Sequence, residues 1–483
     1  MEKTLVVVES PAKAKTIKKY LGKGYEVKAS VGHIKDLPNQ AAKDRRSPLK
    51  GAFPGSPVLG VDVSDDFKPY YEIIPGKEKV IKDLRDSAAR VDRLFLATDP
   101  DREGEAIAWH LKEELGKPDD ATYRILFNEL TERRIKEAVA SPTRLDNNKY
   151  NAQQARRILD RIVGYQISPL LWEKVQFGLS AGRVQSVALR IIVDRQNARD
   201  KFLPEEYWSV TAFLKAKKPP SFEAKLVEYD GRKIQVGNMK TARTLVNEAV
   251  SHPFVVADVQ RKERSRRPQP PFITSTMQQE ASKKLRFTGT RTMRIAQQLY
   301  EGIELGDQGA VGLITYMRTD STRVAPEAIA AVRQFIGGTY GPNYLPPKPH
   351  TYKVGKTAQE AHEAIRPTSM ELPPERVARY LDKAQLALYT LIWRRFVASQ
   401  AAAAIMDMTT ASIASGRMTF RATGSVMRFD GYTRIYSVEP EDENGRQSQS
   451  KEDTEKALPP LNVGDQLTLG EIVPRQHFTQ PPP

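Results

Sequence analysis

The chain has 483 residues, room for about three domains, and 40% of them are hydrophobic, so several cores can be buried and a disordered polyelectrolyte is excluded. Lys and Arg total 75 against 59 Asp and Glu, a formal net charge of +16, which makes a polyanion, nucleic acid first, the leading partner. There is no cysteine, which excludes disulfides, thiolate catalysis and Cys-ligated zinc or iron–sulfur sites. No apolar run reaches the roughly 18–20 residues a membrane span needs. The start at Met1-Glu2-Lys3 is charged too soon for a signal peptide, so a soluble cytoplasmic protein is expected.

Thr4–Val8 is a β-branched apolar run that reads as a buried strand ending at Glu9. Ser10-Pro11 supplies a cap and first-turn pair for a Lys-rich helix reaching about Leu21. Arg93–Ala97 predicts a second buried strand. The string Asp99-Pro100-Asp101-Arg102-Glu103-Gly104 follows it as a turn, and after it comes a helix with Ile107, Leu111 and Leu115 at four-residue spacing. Strand, loop and helix twice over indicate a parallel, Rossmann-like α/β unit, whose ligands sit at the carboxyl ends of the strands. Residues 151–196 read as helical and Arg-rich, and 205–256 as short strands. Arg261–Arg267 has five basic residues in seven and precedes Pro268, which suggests a charged hinge. Residues 272–395 read as mostly helical, 409–436 as strands again, and 439–457 as a polar flexible loop. The fold class is thus α/β plus mainly helical and β domains, with one β domain assembled from separate pieces.

Five groups of residues carry chemistry. Glu9, Asp99, Asp101 and Glu103 gather carboxylates at two strand ends, enough for a hard cation such as Mg²⁺, with Lys13 one turn past Glu9 and Arg102 among them. Acid and base around a metal suit phosphodiester chemistry. A lone Asp-x-Asp is more often a solvated turn; the second strand end and the adjacent Lys shift the balance. Arg157, Arg161 and Tyr165, at i, i+4 and i+8, share a helix face that can hold phosphates and stack a base, with Arg156 beside them. Arginines snorkelling over a core would give the same spacing. Gln176–Val187 is a small-residue loop opening a helix, where backbone N–H groups with Arg183 and Gln185 can cradle a phosphate. In Gly312–Ser321, Tyr316 can attack phosphorus while Arg318 offsets the developing charge. His362, between Glu360 and Glu363, can contact a phosphate or tune the tyrosine. Gly355-Lys356-Thr357 is no P-loop, because its first glycine would have to be His350. The six histidines show no metal-ligand spacing.

Taken together, VVVESPAKAKTI, DPDREGE, LSAGRVQS, RRPQPPFITSTMQQEA, GLITYMRTDS and QEAHEAIRP resemble bacterial DNA topoisomerase I, of the type IA family, over essentially the whole chain and in the family's order. The resemblance implies a multi-domain toroid. Residues 1–145 would be a Toprim metal-binding domain, with a short insertion near 37–60 packing on the gripping domain. Residues 146–204 would be a helical domain gripping single-stranded DNA, continued by 440–483 and truncated. Residues 205–268 and 403–439 would form a β-rich hinge domain, and 269–402 a helical domain carrying the tyrosine. The implied reaction is Mg²⁺-dependent, ATP-independent relaxation of negatively supercoiled DNA, through a 5′-phosphotyrosine link, strand passage and religation.

Carried over by motif, Tyr316 is the nucleophile, Arg318 and Lys13 steady the scissile phosphate, and Glu9 carries the proton for the 3′-hydroxyl. Glu9, Asp99, Asp101 and Glu103 hold Mg²⁺. Arg157, Asp160, Arg161, Tyr165, Arg183, Gln185 and His362 contact DNA, and His33, Arg102 and Asp320 stand near the active site. A cytoplasmic, nucleoid-associated monomer is implied. In the family the closing HFTQPPP would continue into the gripping domain, so a fragment that cuts but relaxes poorly is expected. The rival functions are a Toprim primase or nuclease, a topoisomerase III-like decatenase, and a fragment that only binds single strands.

Overall fold

The computed structural model describes residues 3–38, 59–353, 362–436 and 457–483. Most of the insertion expected near 37–60, the first residues of QEAHEAIRP and most of the loop expected at 439–457 lie outside the described residues. The chain divides into two compact units: Met1–Leu189 with Pro270–Phe335 and His350–Phe396, and Arg190–Gln269 with Ile336–Pro349 and Val397–Pro483. No helix among the described residues is long and apolar enough to cross a membrane.

The first unit begins with a four-stranded parallel sheet in the order Tyr25–Ala29, Thr4–Val8, Arg93–Leu96, Thr122–Arg124. Thr4–Val8 is buried at every residue because strands flank it on both edges and helices cover the sheet. Leu5, Val7, Leu94 and Leu96 pack with Ile81 and Leu84 of the Glu78–Ala89 helix and with Ile107 and Leu111 of the Arg102–Leu115 helix. The Pro11–Leu21 helix starts as the sequence indicates: Ser10 is extended and its side chain accepts from Lys13 N. Asp101 caps the Arg102–Leu115 helix by accepting from Gly104 N. A Cβ at Gly104 would lie 2.2 Å from Asp99 O, so only glycine lets the acidic loop fold this tightly over the helix start. The Arg-rich stretch forms two helices, Asn147–Lys174 and Arg183–Asp200. Helices Thr274–Leu285 and Gly289–Glu301 precede the irregular segment that carries Tyr316.

In the second unit six antiparallel strands close on themselves: Glu206–Lys215, Phe222–Tyr229, Met418–Phe429, Ala404–Ser415, Phe254–Arg266, Gln466–Phe478, and back to Glu206–Lys215. Val210, Ala212, Leu214, Phe254, Ile413 and Phe420 form its core, with Ala242, Leu245 and Ala249 from the Met239–Val250 helix. Closure leaves few free backbone edges.

Two expectations change here. The 440–483 segment was expected to continue a helical domain. Its Gln466–Phe478 portion is instead a strand, paired from Thr468↔Lys215 to Phe478↔Glu206. Pro474 would break a helix there, yet it sits where only Val210 faces it and no second ladder needs its missing N–H. The charged hinge at Arg261–Arg267 is, through Arg266, the continuation of the Phe254–Arg266 strand, in register from Arg261↔Thr409 to Arg266↔Ala404. Exposed charged side chains do not stop a backbone from pairing.

Candidate active site

Glu9 follows the strand Thr4–Val8, and Asp99 stands three residues past the end of its neighbour Arg93–Leu96. The parallel pairing brings both to the same end of the sheet, where Asp99 N donates to Glu9 Oε1 at 2.9 Å. Lys13 is fully buried one helical turn past Glu9 and reaches both carboxylates, pairing with Asp99 and lying 3.5 Å from Glu9. Burial pulls its ammonium down, but Asp99 and Glu9 outweigh that and hold it above the usual lysine range. Burial lifts the Asp99 carboxyl above the usual carboxylate range against the pull of Lys13, and Glu9 and Asp101 add to the lift.

A buried arginine shapes this loop from below. Arg124 donates through Nη1 to Leu96 O and Thr98 O, both at 2.9 Å, through Nη2 to Asp99 O at 2.6 Å, and through Nε to Glu105 Oε2 at 2.9 Å. Glu105 Oε1 in turn accepts from Asp146 N at 2.7 Å, at the start of the Asn147–Lys174 helix. The acidic loop is therefore fixed by a charge network with no exposed member.

Tyr316 meets the loop from the other side. Its segment passes close between Tyr300 and Leu130: a Cβ at Gly312 would lie 2.7 Å from Tyr300 O and 3.0 Å from Leu130 Cβ. Thr315 N donates to Arg366 O and Tyr316 N to Asn128 O, while Thr274 Oγ1 donates to Met317 O and accepts from Thr319 N. So held, Tyr316 is 2% exposed and its hydroxyl donates to Asp101 Oδ2 at 2.6 Å. Burial, then Asp99 and Asp101, push the phenol far above its ordinary range, so the proton stays on oxygen until an acceptor takes it. Arg318 Nη1 lies 3.6 Å from the same Asp101 oxygen, and its side chain is 55% exposed, available to a ligand. The Tyr316 ring packs edge-on against Tyr300 at 5.3 Å and His362 at 6.1 Å. His362 is buried, which lowers its imidazole's pKa, with the Pro100 backbone acting the other way.

A groove of about 500 Å³ opens beside the Asp101 and Arg318 side chains, lined by Asp101, Arg102, Glu103, Arg156, Arg318, Asp320 and His362 among others. A second cavity of about 370 Å³ shares Glu103 and Arg156 with it and continues along His33, Asp36, Arg157 and Asp160. His33 Nε2 lies 3.7 Å from Glu103 Oε2, which also accepts from Gln153 Nε2 at 3.0 Å.

The expected gripping residues are arranged differently from the expectation that they present open charge. Arg157 makes a fork with Asp36, Nε to Oδ1 at 2.9 Å and Nη2 to Oδ2 at 2.5 Å. Arg161 is buried, donates to Pro38 O and Leu37 O, and lies over the Tyr165 ring at 4.4 Å. Asp160 pairs with Arg183 at 2.8 Å, and Ser180 Oγ bonds Gln185 Oε1 at 3.2 Å. Helical spacing put Arg157 and Arg161 on one face, but that face meets the Asp36–Pro38 segment. Of the three arginines Arg156, Arg157 and Arg161, it is Arg156 that lines the groove.

Oxygen donors suit a hard cation by type. As folded, however, Asp99 is paired with Lys13, Asp101 holds Tyr316 and Gly104 N, and Glu103 holds Gln153. Among the described residues no group of three or more His, Asp or Glu side chains is arranged to hold a metal ion. Sequence reasoning did not identify Tyr300, Arg124, Glu105, Gln153 or Thr274. Glu105 and Thr274 lie inside the strings DPDREGE and RRPQPPFITSTMQQEA, but all five residues act through partners elsewhere in the chain, which no local string reveals.

Residues 144–483 match the family model described as DNA topoisomerase, and residues 4–130 match the Toprim domain. Among solved structures, full-length topoisomerase I from Thermotoga maritima is similar, with a TM-score of 0.80 and 38% identity, over 99% of this chain and 73% of that one.

Proposed function

The chain belongs to the bacterial type IA DNA topoisomerases, and from that premise we propose that it relaxes negatively supercoiled DNA by cutting and resealing one strand through Tyr316. The observation that carries this reading is the Tyr316 hydroxyl on Asp101 Oδ2, at the edge of a groove lined by Arg156 and Arg318. Tyr316 Oη attacks the scissile phosphorus and its proton passes to Asp101. The bond from phosphorus to the 3′-oxygen breaks, the 5′-phosphate stays on the tyrosine, and the 3′-oxygen takes a proton carried by Glu9. Religation is the reverse. One phosphoester replaces another, so no ATP is consumed.

Arg318, exposed into the groove, offsets the charge that develops on the phosphate, an effect of about 10²–10³ in rate for one well-placed donor. Lys13 is completely enclosed, so it acts by holding Glu9 and Asp99 in place rather than by touching the phosphate. Mg²⁺ belongs to this reading as the cofactor: Asp99, Asp101, Glu103 and Glu9 supply oxygen donors of the right type and would hold the ion once Lys13, Tyr316 and Gln153 release them, and it would offset phosphate charge. His33, Arg102, Asp320 and His362 border the path of the strand. The net charge of +16 and the two adjoining cavities support DNA as the partner, with single-stranded segments entering along Arg156. A cytoplasmic, nucleoid-associated monomer completes the proposal. The test is relaxation of supercoiled plasmid with Mg²⁺ and in EDTA, run beside adduct formation on an end-labelled oligonucleotide. A protein that forms no adduct and relaxes nothing under either condition contradicts it.

A further inference from the structure

Within the first compact unit the Toprim side, residues 4–130 with the Glu132–Ala140 helix that follows, meets the segment that carries Tyr316 along a seam. A backbone bond and a side-chain bond to a backbone carbonyl cross it: Tyr316 N donates to Asn128 O at 2.7 Å and Thr16 Oγ1 donates to Glu301 O at 2.9 Å. Lys15–Glu304 and Arg133–Glu327 cross it at the surface, with every one of these side chains more than 40% exposed. Pairs in that setting hold little, because water solvates the charges nearly as well.

The crossing at Arg366 is of another kind. Arg366 is 2% exposed, and its Nη2 donates at 2.9 Å to Glu129 Oε2 across the seam and at 2.9 Å to Glu363 Oε2 on its own side. Nε donates to Glu363 Oε2 and Nη1 to Pro367 O, each at 3.0 Å. Glu129 is 4% exposed. The pair is tied to the tyrosine by the chain itself. Arg366 O accepts from Thr315 N, Arg366 N donates to Thr315 Oγ1, and Thr315 precedes Tyr316. Across the seam, Glu129 follows Asn128, whose carbonyl takes the Tyr316 N–H. The charged and backbone crossings therefore lie one residue apart on the Toprim side, and on the other side Arg366 is bonded to the residue that precedes Tyr316.

We infer that Arg366 is a positioning residue whose buried pair with Glu129 latches the Tyr316 segment onto the Toprim side and sets how readily that seam reopens once a strand is cut. This rests on the Tyr316 reading above. The cut strand's phosphate stays on Tyr316 while Glu9 and Asp99 face its other end, so letting a second strand through requires the two sides to part. Glu363 travels with Arg366, so the guanidinium keeps a partner throughout. The bond to Glu129 is the one made and broken. A cavity of about 500 Å³ beside the pair, lined by Glu129, Arg133, Glu327, Arg366 and Phe396, gives water a way to the carboxylate as the seam loosens. Closing reverses this and strips both charges of water, so the pair favours closure only because its fork is satisfied at every donor it uses.

The test compares Glu129→Gln with Glu363→Gln in the full chain. Both remove one negative charge from the same guanidinium with little change of shape, but only the first weakens a bond that crosses the seam. Hydrogen exchange at the Tyr316 amide, without DNA, should be about tenfold faster in Glu129→Gln and within about twofold of wild type in Glu363→Gln, with the Thr4–Val8 strand unchanged in both. Arg366→Lys keeps the charge and loses the fork, and should also speed that amide. With a labelled oligonucleotide, Glu129→Gln should raise the covalent fraction at equilibrium about fivefold or more, while the initial cutting rate moves less than about threefold. Equal exchange in the two Gln variants, or a wild-type rate in Arg366→Lys, overturns the latch. Faster exchange with an unmoved covalent fraction overturns its part in reopening. A wild-type protein that forms no adduct sinks the Tyr316 reading instead, and the exchange arm still decides the latch.

Discussion

In the loop after the Arg93–Leu96 strand, Asp101 turns its carboxylate onto the Tyr316 hydroxyl, beside Arg318 and an open groove. Along the Asn147–Lys174 helix, Arg157 turns its guanidinium onto Asp36, and Arg161 spends its donors on the carbonyls of Leu37 and Pro38. Both regions are dense in charge. In the first, the phenol and the carboxylate that accepts its proton sit together beside a groove that Asp101 and Arg318 line. In the second, most of the charge is already answered by the protein, and a strand of DNA would have to compete for it. Charge does chemistry where the fold leaves it uncompensated at a cavity, and works as a clamp where the fold supplies the partner.

That contrast can be broken most sharply at the tyrosine. Tyr316→Phe removes only an oxygen and should abolish covalent adducts on a labelled oligonucleotide while leaving single-strand affinity nearly intact, since affinity rests on phosphate contacts. Residual adduct at a wild-type level would remove Tyr316 from the reaction. Next in size, Asp101→Asn keeps the shape but not the proton acceptor, and the single-turnover cutting rate should fall by about 10²–10⁴. An unchanged rate would mean the 2.6 Å bond is a resting contact only.

On the helix the expected effects are smaller and of another type. Arg161→Ala should cost about 1–3 kcal/mol in denaturant unfolding, because two buried carbonyls lose their donors, with little change in the salt dependence of DNA binding. Arg156→Ala should do the reverse: stability is kept, while the slope of log affinity against log salt shrinks by about 0.7 if one single-strand phosphate contact is lost. If Arg161 moves the slope and Arg156 does not, the two arginines have been assigned the wrong way round.

How much of this was legible depended on whether a signal was local. Thr4–Val8 and Arg93–Leu96 are short apolar runs with β-branched or aromatic residues, and Ser10-Pro11 is a cap that acts within four residues, so the strands and the first helix start were readable, while the Asp101 cap, which starts its helix at Arg102 inside the acidic string, was not read as one. The strand Gln466–Phe478 was not, because Gly470 and Pro474 interrupt its alternation and its partner, Glu206–Lys215, lies far back in the chain. Arg261–Arg266 looked like a hinge because charge masks a backbone ladder. At the site, the motif strings placed Tyr316, Asp101 and Arg318 together, while Arg124 under the loop, Tyr300 behind the tyrosine and the Arg366–Glu129 pair depend on contacts between distant segments that no spacing reveals. The arginines of the gripping helix show the limit from the other direction: periodicity gives the face and is silent on what the face meets.

The central claim is that DNA phosphorus becomes bonded to Tyr316. It is tested most directly by trapping the adduct on a short oligonucleotide, digesting the protein and locating the nucleotide-bearing peptide by mass spectrometry. The expected product carries a 5′-phosphate on the phenolic oxygen of Tyr316, in the peptide containing Gly312–Arg318. A phosphate carried by another residue, or the absence of any covalent nucleotide from a protein that still relaxes DNA, would contradict it.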